Sequence, residues 1–299
     1  MKINKLIRTT AAALAVLALA ATTACGSQVQ AASKKVITAE TFGAPSPFIY
    51  SPEDPKDAIY TTAEGVGLSG YDIAVLVELF KTKALEGYTL DLRVNSNTIV
   101  DAQQGTVDFG VNNFSYNSDR AESFYFSYPY TKAKYAILTK NGTTISSFAE
   151  IAASGIPVET SAGNNVANAL ERWNEANPDK QINIEYTSAD ITAELQHIAE
   201  GTHVGIGDTP VWAAYRESYP ELFANITETV ISDEEALLIT EHSTSHFLFG
   251  KTGAHAKEYQ KLLSEGIYEL YKNGTLKKLA DRYTGIDIVP AESDFEYLN

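Results

Sequence analysis

The chain is 299 residues long, carries a formal net charge of −15 and contains one cysteine. A protein this acidic is repelled by phosphate groups, which excludes binding to nucleic acid. A lone cysteine cannot form an internal disulfide bond. The apolar fraction of 44% is ordinary for a globular protein, so the composition predicts one large or two smaller globular domains.

The first residues have the pattern of a secretory signal peptide. Residues 2–8 are basic, and the apolar run over residues 11–21 is shorter than the roughly 20 residues that span a membrane. We therefore predict a signal peptide over residues 1–24. From Cys25 onward the chain carries a formal charge of about −18.

Cys25 follows Thr22, Thr23 and Ala24, a sequence that resembles the cleavage site of bacterial lipoproteins. The resemblance implies a diacylglyceryl group on the Cys25 thiol and a protein anchored to the outer face of the cell membrane. Residues 25–34 would then be a flexible tether. Thr22 stands where Leu or Val is usual, so a plain signal peptide cut after an alanine is the alternative.

After the tether, short strands alternate with helices. We predict strands over residues 35–39, 90–95 and 107–111, and helices over residues 74–80 and 99–104, the last ended by Gly105 as its C-cap. Residues 65–70 match the three-glycine pattern of dinucleotide-binding proteins. That site needs a buried strand directly before it, and a long polar loop precedes it here, so we exclude a dinucleotide site.

Residues 105–130 carry the most specific pattern of the chain. The sequence GTVD (105–108) and an apolar strand lead into the polar loop 112–120, which ends in Arg120 and is followed by FSYPY (126–130). This series resembles the signature of the bacterial extracellular solute-binding proteins of family 3, the polar amino-acid receptors of ABC importers. Asp119 stands where the family usually has Glu, and Asn113 where many members have Gly or Ser.

Two shorter stretches resemble the same family. In GYDI (70–73), Asp72 is implied to cap or orient the following helix, and DTP (208–210) matches the family's Asp-x-Pro element. The resemblance implies an α/β fold of the two-lobed, periplasmic-binding-protein-like type II, with a ligand cleft between the lobes and two hinge crossings. Lobe 1 would comprise residues 35–130 plus 248–299, and lobe 2 residues 131–247, the chain crossing at residues 131–134 and returning in a strand over 246–249. Further strands are predicted over residues 135–139, 155–158, 182–186 and 236–240, and further helices over residues 145–153, 166–174, 191–199, 256–271 and 275–283.

The resemblance also assigns a ligand site. Arg120 is implied to bind the α-carboxylate of an amino acid through its planar fork of donors. Asp208, on the other lobe, is implied to bind the α-ammonium group. Ser115 would add a donor to the carboxylate, Asn113 an acceptor for the ammonium, and Asn165 a backbone N–H from the start of a helix.

Four more residues are expected near the ligand. Asn164 lies in the same loop as the predicted helix start, and Ser161 occupies a position where some relatives contact the ligand side chain. Asn95 could hydrogen-bond a polar ligand side chain, and Phe42 could form an aromatic wall. The plainer alternatives are that the asparagine at the helix start is a simple cap and that the aromatic ring belongs to the core.

The two charged residues also have plainer alternatives. Arg120 could be a surface residue paired with Asp119 or Glu122, because most arginines are exposed. Asp208 could simply cap a helix that starts at Pro210.

Together these expectations describe a monomeric receptor that captures a polar L-amino acid and delivers it to an ABC permease. The ligand would be cystine-like or glutamine-like, since the loop 112–116 is also similar to cystine-type receptors. No cofactor or metal is expected, because the residues between His242 and His246 form helices poorly and no third ligand is near. The alternatives are an amino-acid sensor and a dehydratase-type enzyme on the same fold, with Glu40 or Glu159 as general acid or base.

Overall fold

The computed structural model describes residues 34–132, 134–188 and 190–298. The predicted signal peptide, Cys25 and all of the predicted tether except Lys34 therefore lie outside the described residues. Within the described ranges, no helix is long and apolar enough to cross a membrane.

Strands and helices alternate along the described chain. The strands are β1 (Lys35–Thr41), β2 (Tyr60–Thr61), β3 (Gly67–Leu68), β4 (Tyr88–Val94), β5 (Phe109–Ser115), β6 (Phe124–Phe126), β7 (Thr131–Lys132), β8 (Tyr135–Lys140), β9 (Val158–Thr160), β10 (Ile184–Tyr186), β11 (Gly205–Asp208), β12 (Ile226–Val230) and β13 (Thr244–Gly250). The α-helices are α1 (Tyr71–Leu79), α2 (Thr98–Gln104), α3 (Ser118–Ser123), α4 (Phe148–Ser154), α5 (Asn165–Ala176), α6 (Ile191–Glu200), α7 (Thr209–Ser218), α8 (Pro220–Phe223), α9 (Asp233–Ile239), α10 (Ala256–Lys272) and α11 (Thr275–Tyr283).

The first sheet has the strand order β4-β1-β5-β13-β6, and β7 also pairs with β13. Strand β1 is parallel to β4 and β5, whereas β13 runs antiparallel to β5, β6 and β7. Helices α1, α10 and α11 share a core with this sheet, and nearly every residue of α1 is buried. A helix that is apolar all round belongs in the interior, as its sequence predicts.

The second sheet has the order β11-β8-β12, all antiparallel, with the parallel pair β9 and β10 beside it. It has hydrophobic clusters of its own, one around Phe148 and Leu170 and another around Trp212. Two sheets with separate cores form the two lobes that the sequence predicts.

The chain passes between the lobes twice. The first crossing leads from β7 to β8. The second lies between the end of α9 and the start of β13. All of β13 lies in the first sheet, so the predicted lobe boundary at residues 247 and 248 falls inside a strand.

Most predicted elements are confirmed with shifts of up to four residues at their ends, including the helix that ends at Gly105 with left-handed backbone. The strand predicted over residues 155–158 begins only at Val158, because Gly155 is still the C-cap of α4. One is wrong: residues 236–240 were expected to form a strand, and they belong largely to α9. The Ser232 hydroxyl accepts a hydrogen bond from the Glu235 N–H (3.2 Å), and three acidic residues in the first turn favour a helix start. A short apolar run does not distinguish strand from helix.

Candidate ligand-binding site

Arg120 lies in α3, directly after the polar end of β5. This end was expected to leave regular structure, but the strand continues through Ser115. Asn117 caps α3 by accepting a hydrogen bond from the Arg120 N–H (2.7 Å). The guanidinium donates from Nη1 to the Ser115 carbonyl oxygen (2.8 Å) and lies over the Phe114 ring. This contact uses one of its five N–H donors.

Arg120 makes no ion pair with any carboxylate of the described chain, so the alternative pairing with Asp119 or Glu122 is not found. Burial lowers the pKa of Arg120 from its usual 12.5, yet an arginine stays charged at neutral pH. The lobe-1 side of the cleft therefore presents an unpaired cation.

Asp208 ends β11 and occupies the N-cap position of α7, but its side chain makes no capping hydrogen bond. Its Oδ1 is buried and has no hydrogen-bond partner within the described residues. Burial raises the pKa of Asp208 to about 7. Because a buried charge without a partner costs several kcal/mol, the capping alternative leaves this carboxylate unexplained, whereas a ligand cation would compensate it.

Tyr135 stands between these two charges. It is the first residue of β8 and the register partner of Asp208. Burial first of all raises the pKa of Tyr135, and Asp208 raises it further; a hydrogen bond with the Ser115 side chain and the charge of Arg120 act in the opposite direction. The sequence analysis missed this residue, because nothing in the sequence distinguishes it from a core aromatic.

Asp72 fixes the backbone of Asn113 through a hydrogen bond. The Asn113 backbone is left-handed (φ 48°), and its N–H donates to Asp72 Oδ2 (2.8 Å) and to the Tyr130 hydroxyl oxygen (3.0 Å). The Tyr130 hydroxyl itself donates to Asp72 (3.0 Å). Asp72 does not cap α1, whose N-cap is Gly70. Its role is to fix the end of β5, while Asn113 Oδ1 remains buried and without a partner.

Two adjoining pockets form one cleft, because Asn113, Ser115, Asn164 and Asn165 line both of them. The structure therefore brings together eight of the nine predicted ligand residues: Arg120 and Phe42 line one pocket, Asp208 and Ser161 the other, and the four shared residues lie between.

Asn164 both caps a helix and lines the cleft. Its Oδ1 accepts from the Ala167 N–H (2.7 Å) at the start of α5. Phe42 is 38% exposed and packs edge-on against Phe114. Neither residue makes a contact that rules out a ligand.

Asn95 is the predicted ligand residue that the structure places outside the cleft. Its amide donates to Asp101 Oδ2 (2.9 Å), and its Oδ1 accepts from the Asn97 N–H (3.0 Å). These bonds organise the start of α2, because short polar side chains readily bond to nearby backbone. Asn95 also donates to Glu40, which therefore lies away from the cleft as well.

The lobe-2 end of the cleft is acidic and aromatic. Glu159 and Glu194 line it together with Trp212 and Tyr215, and no Lys, Arg or His is among the described residues that line this pocket. Glu159 lies 2.8 Å from His197 Nδ1. Glu194 makes no side-chain hydrogen bond or ion pair within the described chain. Burial, and then the charge of Glu159, raise the pKa of Glu194 to about 7.

The sequence analysis missed Glu194 as well. It lies on an amphipathic helix, α6, on which a glutamate is normally a solvated residue. Only the packing of α6 against the second sheet turns this side chain toward the cleft.

Comparison with known proteins shows which family this chain belongs to. The model of the bacterial extracellular solute-binding proteins, family 3, matches residues 51–286. The probable amino-acid-binding protein YxeM of Bacillus subtilis (strain 168) is 31% identical over 224 residues, which are 74% of this chain and 78% of that protein. The L-cystine-binding protein TcyK of the same organism is 25% identical over 265 residues, 88% of this chain and 89% of that protein.

A solved structure supports the fold. This solved structure comes from a study of glutathione import in Gram-positive bacteria via GshT and the cystine ABC importer TcyBC of Streptococcus mutans. It superposes on this chain with a TM-score of 0.70 at 23% sequence identity, covering 87% of this chain and 99% of that one. The predicted two-lobed α/β fold of type II is thereby confirmed.

Proposed function

Because the chain belongs to the bacterial extracellular solute-binding proteins of family 3, we propose that it is the receptor of an ABC importer, which captures a polar L-amino acid outside the cell and delivers it to a permease. One observation carries the proposal. Arg120 and Asp208 have opposite charges, lack ion-pair partners in the described chain and line one cleft from different lobes.

An α-amino acid supplies both missing partners from a single carbon. Its carboxylate would bind the free donors of Arg120, and its ammonium group Asp208. Each lobe then contributes one half of the recognition, so the ligand binds most tightly when the lobes close around it. Asn164 and Asn165 add the N-terminus of α5 from the second lobe.

The acidic end of the cleft narrows the choice of ligand. Once Asp208 has taken the α-ammonium group, Glu194 still lacks a partner, and the aromatic rings of Trp212 and Tyr215 line the same pocket. Both features suit a second positively charged nitrogen. Cystine carries two ammonium groups, and the relative TcyK is an L-cystine-binding protein. We therefore favour a cystine-like ligand over glutamine, whose side chain is neutral.

The remaining expectations belong to the same proposal. The protein acts as a monomer, anchored by a lipid on Cys25, and binds its ligand without chemical change, as befits a family of solute-binding proteins. We place the lobe boundaries at the crossing after Lys132 and at the one between Ile239 and Thr244. The dehydratase-type alternative gains no support from Glu40, which lies outside the cleft, or from Glu159, which is paired with His197.

A thermal-shift screen of the purified protein tests the proposal. The ligands are L-cystine, L-arginine, L-citrulline and L-glutamine. Arginine and citrulline have similar shapes, but only the arginine side chain is charged. A ligand at about 100 times its dissociation constant should raise the free energy of unfolding by about 2.7 kcal/mol. We expect cystine to shift the melting temperature, Arg120→Met to abolish the shift, and chromatography to recover the ligand unchanged.

The Glu194→Gln variant tests the proposed ligand class independently of the proposed receptor function. It should weaken the binding of cystine and arginine but not of citrulline or glutamine. Glu200→Gln, on the exposed end of the same helix, is the matched control and should change neither. If neutral amino acids bind best and Glu194→Gln has no effect, the ligand class is wrong and the receptor stands. If no amino acid binds, the receptor proposal falls.

A further inference from the structure

A pair of glutamates stands on neighbouring strands of the second lobe. Glu159 on β9 and Glu185 on β10 are register partners in a parallel pair, so their side chains leave the same face of the ribbon. Like charges directly opposite one another destabilise a sheet. Glu159 is moreover only 6% exposed, so solvent screens its charge poorly and a positive group beside it is stabilising.

Two histidines cover the glutamate pair. Helix α6 ends at Gly201 in a left-handed turn (φ 81°), and Thr202 bonds back to the His197 carbonyl oxygen through its N–H and its hydroxyl (both 3.0 Å). This turn returns His203 to His197, and the two ring centres lie 5.0 Å apart.

Each imidazole faces one carboxylate. His197 Nδ1 lies 2.8 Å from Glu159 Oε2, and His203 Nε2 lies 3.0 Å from Glu185 Oε2. Ligand atoms of Glu159, His197 and His203 all lie within 4.8 Å of one another. Three donors therefore converge from β9, α6 and the loop before β11, and Glu185 on β10 adjoins them through His203.

We propose that Glu159, His197 and His203, with Glu185 beside them, bind a divalent transition-metal ion such as Zn²⁺. Imidazole nitrogen and carboxylate oxygen are zinc ligands at about 2.0–2.2 Å, which sets neighbouring ligand atoms roughly 3.4 Å apart on a tetrahedron. The separations here span that value, so small rotations of the side chains suffice. The ion would replace the protons now shared between each histidine and its glutamate.

The site is open to solvent on one side and anchored on the other. The side chains of His197 and Glu185 are 40% and 54% exposed, so an ion can enter, while Glu159 is buried at the base. The other histidines of the described chain do not form such a set. His246 is buried and bonded to Thr244 and to the Ser127 carbonyl oxygen.

Zinc titration of the purified, EDTA-treated full chain tests the proposal. All proteins carry Cys25→Ser, because a free thiolate also binds zinc. Isothermal titration calorimetry with ZnCl₂ should show one ion per chain. His203→Gln and His197→Gln should each weaken binding by about tenfold or more. The matched control is His255→Gln, since His255 faces a single carboxylate, Glu258, at 3.1 Å, and this change should leave binding unaltered.

Three outcomes would overturn the proposal. Zinc could fail to bind at one ion per chain, or it could bind equally well to the His197→Gln/His203→Gln double variant. The third is that His255→Gln weakens zinc binding as much as His197→Gln or His203→Gln does. Melting temperatures in EDTA show whether each variant folds. If His203→Gln does not fold, Glu185→Gln at the exposed rim replaces it and should also weaken binding. Because the amino-acid ligand is absent, the result does not depend on the receptor proposal.

Discussion

Replacing Asp208 with asparagine should stabilise the unliganded protein and abolish its ligand binding. Asparagine has the same shape and is an equally good N-cap residue, and the native side chain makes no capping bond that could be lost. The substitution removes an uncompensated charge whose Oδ1 is buried. At the same time it removes the group proposed to bind the α-ammonium, so stability and binding should change in opposite directions.

The magnitude follows from the pKa of Asp208, which burial raises from its usual 3.8 to about 7. A carboxyl group that binds its proton more tightly in the folded state makes the protein less stable as pH rises from the unfolded to the folded pKa. This penalty is about 2 kcal/mol at pH 5 and about 4 kcal/mol at pH 8. These are upper values, because the residue is partly exposed.

Urea unfolding of wild type and Asp208→Asn at pH 5 and pH 8 measures the effect. The stability advantage of the variant should grow with pH. Asp57→Asn is the control, because it removes the same charge from an exposed side chain that makes no hydrogen bond within the described chain; it should show no such growth. An Asp208→Asn protein that is less stable than wild type at pH 8, or that still binds the amino acid, would refute the reasoning.

Three further predictions concern the cleft and the first sheet. Arg120→Lys keeps the charge but loses the fork of donors, so calorimetry should show a dissociation constant roughly 10 to 100 times higher, with the melting temperature of the unliganded protein nearly unchanged; unaltered affinity would contradict the role of the guanidinium. Tyr135→Phe should weaken binding roughly fivefold, since it removes one hydroxyl between the charged groups; no change in affinity would place that hydroxyl outside the site. Gly250→Ala should lower the free energy of unfolding by about 2 kcal/mol or more in urea titrations, because its Cβ would overlap the Ala102 carbonyl oxygen; a neutral effect would mean that β13 and α2 separate easily.

The sequence predicts the fold well where hydrophobic pattern and caps agree. The helix ended by Gly105 and the C-terminal helices have both signals, the strand before Asn112 has a clear alternation, and all are confirmed. It fails at residues 236–240, where the apolar run is too short to show a period and the Ser232 cap decides the outcome. Local signals therefore suffice for most elements of this chain.

The site is less predictable, because it depends on which side chains meet across the lobes. The resemblance to the family located Arg120 and Asp208, which are far apart in sequence and line one cleft in the structure. Asn95 lies outside this cleft, where its amide nitrogen donates to Asp101 and Glu40 and its amide oxygen accepts from the Asn97 N–H. The resemblance did not indicate Tyr135 or Glu194, since their positions in the cleft follow from strand register and from the packing of α6.

The left-handed backbone of Asn113 limits how this receptor can diverge. Its N–H is fixed by Asp72 and Tyr130, and at φ 48° only Gly, Asn and Asp are readily tolerated. A glycine would remove the amide that lines the cleft, and an aspartate would place a second carboxylate next to buried Asp72. Proteins that evolve from this one to bind a different ligand should therefore retain Asn113. They should vary lobe-2 residues such as Glu194, which no backbone constraint holds.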